Sequence, residues 1–214
     1  MKKVVSLCLL FFTICIHAQT VQSPSKAISL DFKLDAGKPT YTVTYKSKPI
    51  ILQSALGVKL KNETDLASNF SIEGSKATTF NETWKPVLGE QSSIKNNYNE
   101  LTVSLKQLGT GRQLNIIFRA FDEGVAFRYD FPQQKTLNYF IISDEVSQFN
   151  LTGNHKVFWI PGDFDSNEYE YNETTFSNID TKKINLDNGI GVKSISGQYT
   201  VQSPLMMKTA TNTY

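Results

Sequence analysis

Apolar and polar residues alternate with a period of two along most of this chain. Ile28, Leu30, Phe32 and Leu34 are separated by Ser29, Asp31 and Lys33, which predicts a strand with one buried face. Asp35-Ala36-Gly37-Lys38 carries turn residues, and the Thr/Tyr/Val run at 40–45 resumes as a strand, so the two form an opening hairpin. Further strands are predicted at 50–52, 56–60, 101–105 and 114–121. Leu114, Ile116, Phe118 and Ala120 share one face, and Val125, Phe127, Tyr129 and Phe131 share one face of the next strand. Between them, Asp122-Glu123-Gly124 suits a three-residue hairpin loop, with Gly124 at positive φ. Apolar residues nowhere keep helical spacing for three turns. The best helical candidate is a single turn at 144–148. The stretch at 180–197, rich in Lys, Asn, Ser and Gly, predicts an exposed connection, with strands again at 199–201 and 204–208. The chain is mostly β.

The first eighteen residues depart from this pattern. Lys2 and Lys3 precede an apolar run from Val4 to Ile16 that is short for a membrane span, and Ala18 offers a small residue at the cleavage position. This predicts a signal peptide at 1–18 and an exported protein, periplasmic or secreted. Both cysteines, Cys8 and Cys15, fall inside that segment, so the mature chain has no disulfide and must rely on its core. Its length of roughly 200 residues suffices for a β-sandwich. Of 22 basic and 20 acidic residues, the signal segment removes two lysines, leaving 20 against 20. A neutral mature chain implies neither nucleic acid nor an anionic membrane as partner. Five Asn-X-Ser/Thr sequons, among them Asn62-Glu63-Thr64 and Asn172-Glu173-Thr174, are expected by chance in so Asn- and Thr-rich a chain.

His155 is the one histidine after the signal segment, and it sits in the turn Gly153-Asn154-His155-Lys156. A His- or Cys-based metal site and a Ser-His-Asp triad are therefore excluded, and there is no Gly-rich phosphate loop. Asp163, Asp165, Glu168, Glu170 and Glu173 form an acidic cluster mixed with Phe164, Tyr169 and Tyr171. Such hard oxygen donors suit calcium, although the spacing is not that of an EF-hand. Aromatics beside carboxylates also suit a sugar, which stacks on rings while its hydroxyls bond to acids. A solvated acidic loop anchored by its aromatics is the bland alternative. The acids lie on one predicted loop, so they cannot bracket a glycosidic bond, and no catalytic acid or base is assigned. Trp84 and Trp159 are either core or interface residues or sugar-stacking ones. Trp159, beside the acidic loop, is the better subsite candidate. Arg119 and Arg128 point away from the main aromatic faces, either to pair with Glu100 or Asp130 or to hold a neighbouring domain.

Several segments in this order carry a resemblance: Trp84-Lys85-Pro86-Val87-Leu88-Gly89-Glu90, Tyr98-Asn99-Glu100-Leu101, 118–129, Phe131-Pro132, Phe158-Trp159-Ile160-Pro161-Gly162-Asp163 and Glu168-Tyr169-Glu170-Tyr171. From about Val21 onward the chain resembles the amino-terminal domain of glycoside hydrolase family 97, secreted α-glucosidases and α-galactosidases. The resemblance implies a large two-sheet antiparallel β-sandwich of the supersandwich type found in sugar mutarotases, spanning 19–214 and truncated before a (β/α) barrel. It implies an α-linked oligosaccharide as substrate, with the barrel, normally in the same chain, carrying the catalytic residues. It also implies that Glu168 is a calcium ligand lent to the barrel, with Glu170 a weaker substrate contact. The context Asn167-Glu168-Tyr169-Glu170-Tyr171 resembles that of the calcium-dependent, inverting α-glucosidases. Alone, such a piece is expected to be inactive and to expose an apolar patch. The alternatives are a stand-alone carbohydrate-binding sandwich and an adhesion sandwich without a sugar role.

Overall fold

The computed structural model describes residues 19–186 and 194–209. The signal-peptide segment and the middle of the predicted 180–197 connection lie outside the described residues. Two compact units divide the chain between Asn150 and Leu151.

The first unit is a sandwich of two four-stranded antiparallel sheets. One sheet holds β1 (Gln19–Gln22), β2 (Ile28–Asp35), β3 (Lys38–Tyr45) and β4 (Lys48–Ala55) in sequence order. Two-residue turns join β2 to β3 and β3 to β4. In both, the two central residues have positive φ: Ala36 and Gly37 in the first, Lys46 and Ser47 in the second. That backbone twist matches the strands on either side, so the ladder runs on to Asp35↔Lys38 and Tyr45↔Lys48 at the turns. The short strands β5 (Val58–Leu60) and β10 (Ile142–Glu145) pair separately. The second large sheet contains β6 (Phe70–Trp84), β7 (Ile94–Gln107), β8 (Gln113–Ala120) and β9 (Val125–Asp130).

Between these sheets lies the core. Leu30, Phe32, Val103, Leu105, Leu114, Ile116, Phe118 and Ala120 are fully buried, as alternation within β2, β7 and β8 predicts. Phe32, Tyr41 and Phe127 surround Phe118 with ring centroids 5.7, 6.5 and 6.3 Å away. Val125, Phe127, Tyr129 and Phe131 pack against the same core while only partly buried. At Gly57 a Cβ would lie 2.6 Å from the Cβ of Ala67, so close backbone approach requires glycine there.

One strand goes unpredicted and two expectations change. β6 is fifteen residues long, and after Phe70 its side chains are exposed or half-exposed; its Ser, Thr, Asn and Glu content hides it from a hydrophobic pattern. The helical turn expected at 144–148 is extended instead. Val146 and Gln148 donate their backbone N–H groups to Gly57 and Ala55, so strand partners outweigh the polar composition. Gly124 lies outside the positive-φ residues. Its loop closes through the Phe121 N–H donating to the Gly124 carbonyl, 2.8 Å, and the Asp122 carboxylate accepts from the Ser25 N–H, 2.8 Å.

Arg119 pairs with Glu100, Nε to Oε2 2.7 Å, and lies 4.4 Å over the Tyr98 ring. Asp130 accepts from Asn115 instead, and Arg128 makes no ion pair among the described residues.

The second unit is smaller. β11 (Lys156–Trp159) is central, flanked antiparallel by β12 (Asn172–Thr175) and β13 (Met206–Lys208). Val157, Trp159 and Ile179 form its core, with Ile184, Val201, Leu205 and Met207 packed around them. Short 3-10 turns follow at Phe176–Asn178 and Thr181–Lys183. Asp180 and Thr181, read as the start of an exposed connection, are buried: Asp180 accepts from the Lys182 N–H at 3.0 Å and from Gln198 Nε2 at 3.1 Å.

Candidate functional site

The acidic cluster lies on the loop that joins β11 to β12. Trp159 pairs across the ladder with Asn172, so the loop from Ile160 to Tyr171 starts and ends at neighbouring points of one sheet. Its organising group is the carboxylate of Asp163, a residue only 8% exposed. Oδ1 accepts the N–H groups of Asp165, 2.8 Å, and Ser166, 3.1 Å. Oδ2 accepts the Tyr169 hydroxyl, 2.7 Å, and the Ser194 N–H, 3.0 Å. Four donors on one carboxylate close the loop on itself and tie it to the segment that pairs with it through Asp163↔Ile195. Ser194 Oγ also donates to Asp165. A Cβ at Gly162 would meet Ser196 Oγ at 2.6 Å and Thr200 Oγ1 at 2.9 Å, so a larger residue there would have to displace both hydroxyls.

These bonds shift two titrations. The Tyr169 hydroxyl, followed by the backbone N–H of Asp165, holds Asp163 down to about 2. The same carboxylate raises Tyr169 to about 12. For the depressed acid, the stability is present above the ordinary carboxylate value of 3.8 and is lost as pH falls toward 2. For the raised phenol, it is present below the ordinary value of 10.0 and is lost as pH climbs toward 12. The second unit is therefore expected to lose stability on both sides of a neutral plateau. Urea midpoints read from Trp159 fluorescence in a Trp84→Phe background test this, and Tyr169→Phe should flatten the alkaline side.

The structure sorts the five acids into two groups. Asp163 and Asp165 are engaged within the loop, and Glu173 pairs with Lys156. Glu168 and Glu170 are exposed, and among the described residues neither carboxylate has a hydrogen bond or ion pair; only their backbone atoms are engaged. Among the described residues no three His, Cys, Asp or Glu side chains converge as a metal site. Glu168 and Glu170 therefore do not by themselves make a complete cation site among the described residues.

Trp159, the subsite candidate, is fully buried, and its Nε1 donates to Thr174 Oγ1 at 3.0 Å. A buried indole has no face to offer a sugar, so this expectation is corrected to a core role. Open aromatic faces on the loop belong to Phe164, 81% exposed, and Tyr171, 65% exposed. Their place beside Glu168 and Glu170 in the sequence was the available signal, but periodicity does not report exposure in a loop. Trp84, in the first unit, is half-exposed on β6. His155, in its turn, is half-buried, with Nε2 3.1 Å from Thr152 Oγ1.

The family model of the glycosyl hydrolase 97 N-terminal domain matches residues 21–214. The chain belongs to glycoside hydrolase family 97. It is 25% identical over 214 aligned residues to a retaining α-galactosidase of Bacteroides thetaiotaomicron, covering 90% of this chain and 31% of that protein. A family 97 enzyme of Pseudoalteromonas sp. strain K8, solved with panose and with acarbose, is 32% identical with a TM-score of 0.70, over 73% of this chain and 24% of that one. A β-arabinopyranosidase structure matches at 25% identity and a TM-score of 0.64, over 72% and 26% of the two chains. This family 97 chain thus spans about a third or less of the relatives it matches.

Proposed function

We propose that this chain is the amino-terminal domain of an exported α-glycosidase, working beside a catalytic barrel and lending it Glu168 as a calcium ligand. The observation that carries the reading is the free Glu168 carboxylate on a loop whose other acids, apart from Glu170, are engaged. Bound calcium would supply positive charge near the glycosidic oxygen. The residues of this chain do the rest of its share. Glu168 offers a negative oxygen, while Asp163 and Tyr169 hold the loop that presents it. Glu170 is free to accept sugar hydroxyl hydrogen bonds, and Phe164 and Tyr171 offer the apolar faces on which a ring stacks. An α-glucoside is the substrate we favour. Identity is higher to the enzyme solved with panose, a trisaccharide of α-linked glucose, than to the α-galactosidase.

Glu168→Gln removes the charge and keeps the shape. In the full-length polypeptide it is expected to raise the calcium concentration for half-maximal activity by about tenfold or more, with the fold unchanged by circular dichroism. Calcium dependence indistinguishable from wild type would sink the assignment.

A further inference from the structure

Asp163 plays no part in the ligand set proposed above, yet the loop is built around it. Glu168 lies between Ser166 and Tyr169, and Asp163 holds both, through the Ser166 N–H at 3.1 Å and the Tyr169 hydroxyl at 2.7 Å. The Glu168 N–H donates to Ser166 Oγ at 3.2 Å, which links its backbone to the same point. Two further donors, the N–H groups of Asp165 and Ser194, fix Asp163 to the loop start and to the adjoining segment. All four acceptor contacts are used, and the group is nearly buried, so Asp163 is not itself free to bind a ligand.

We propose that Asp163 is a positioning residue that pre-organises Glu168 for cation binding. The free Glu168 carboxylate, left mobile, would lose rotational and backbone freedom on coordinating an ion. A loop already held by four hydrogen bonds has given up the backbone share of that freedom during folding. The prediction rests on the calcium reading of Glu168 and extends it to the residue that controls the affinity.

Two readouts test it: calcium titration of the full-length protein by calorimetry, and hydrogen exchange of the Asp165, Ser166 and Ser194 amides without calcium. Asp163→Asn keeps the volume but replaces one acceptor oxygen by an NH2 donor. It is expected to speed exchange at the three amides and to raise the calcium dissociation constant about tenfold or more, the scale of losing an orienting partner. Tyr169→Phe removes one of the four donors and should raise the constant a few-fold. Glu168→Gln should weaken calcium equally while leaving the amides protected. Faster exchange in Asp163→Asn with calcium affinity within twofold of wild type overturns the positioning role. If Asp163→Asn fails to fold, unchanged affinity in Tyr169→Phe overturns it as well. Unchanged affinity in Glu168→Gln brings down the calcium reading itself, and the positioning role with it.

Discussion

Replacing Trp159 by alanine is expected to cost about 3–5 kcal/mol and to unfold the second unit ahead of the first. The side chain is fully buried in a core whose other buried members, among the described residues, are Val157 and Ile179, so few neighbours can collapse into the space it leaves. The truncation also frees the Thr174 hydroxyl from its bond to Nε1. A unit of about 60 residues holds roughly 3–9 kcal/mol in total, so the loss is comparable to its whole stability. Hydrogen exchange should show β11 and β12 unprotected while β2, β7 and β8 keep their protection. Trp159→Phe separates a core role from a sugar-binding one. A core residue loses less on this change than on truncation, whereas a sugar contact would leave stability intact and alter binding alone.

Phe118→Ala is expected to cost the first unit about 3–5 kcal/mol as well. Phe118 is fully buried on β8, and its ring bridges the two sheets, with Phe32 and Tyr41 of the first sheet and Phe127 of its own as neighbours. Removing it takes away contacts on both sides of the sandwich interface at once. The chemical denaturation midpoint should fall with the m-value unchanged, because the surface exposed on unfolding is almost the same. Ile72→Ala, on β6 of the same sheet and more than a third exposed, is the control and should cost clearly less. An equal loss at both positions would mean that the two-sheet interface is not where the stability resides.

How far the fold could be read from the chain depended on burial. β2, β8 and the inner half of β7 each bury one face, so their alternation was visible, and the predicted core positions Leu30, Phe32, Leu114, Ile116 and Phe118 are fully buried. β6 is a strand of the same sheet, but after Phe70 it buries no side chain fully, and so it left no apolar period to find. What makes it a strand is a long run of backbone pairing to β7, from Phe70↔Gln107 to Trp84↔Ile94. The segment at 144–148 failed for the same reason. Its extended shape comes from carbonyls at Gly57 and Ala55, nearly a hundred residues away.

The acidic loop divides in a similar way. Sequence by itself determined which residue types the loop offers, carboxylates among aromatics, and an alternating pattern that makes a sandwich. It also carried the family, because motifs such as Trp159-Ile160-Pro161-Gly162-Asp163 are local strings. Only the tertiary structure decided which of five similar carboxylates is committed and which is free. Asp163 and Glu168 are alike in formal charge, but Asp163 meets the Ser194 N–H and the Tyr169 hydroxyl, whereas the Glu168 carboxylate meets no donor among the described residues. It likewise decided that Trp159 is core and that Phe164 and Tyr171 are open. A side chain's role depends on which donors, rings and solvent reach it, and those neighbours are set by long-range packing that no local pattern records.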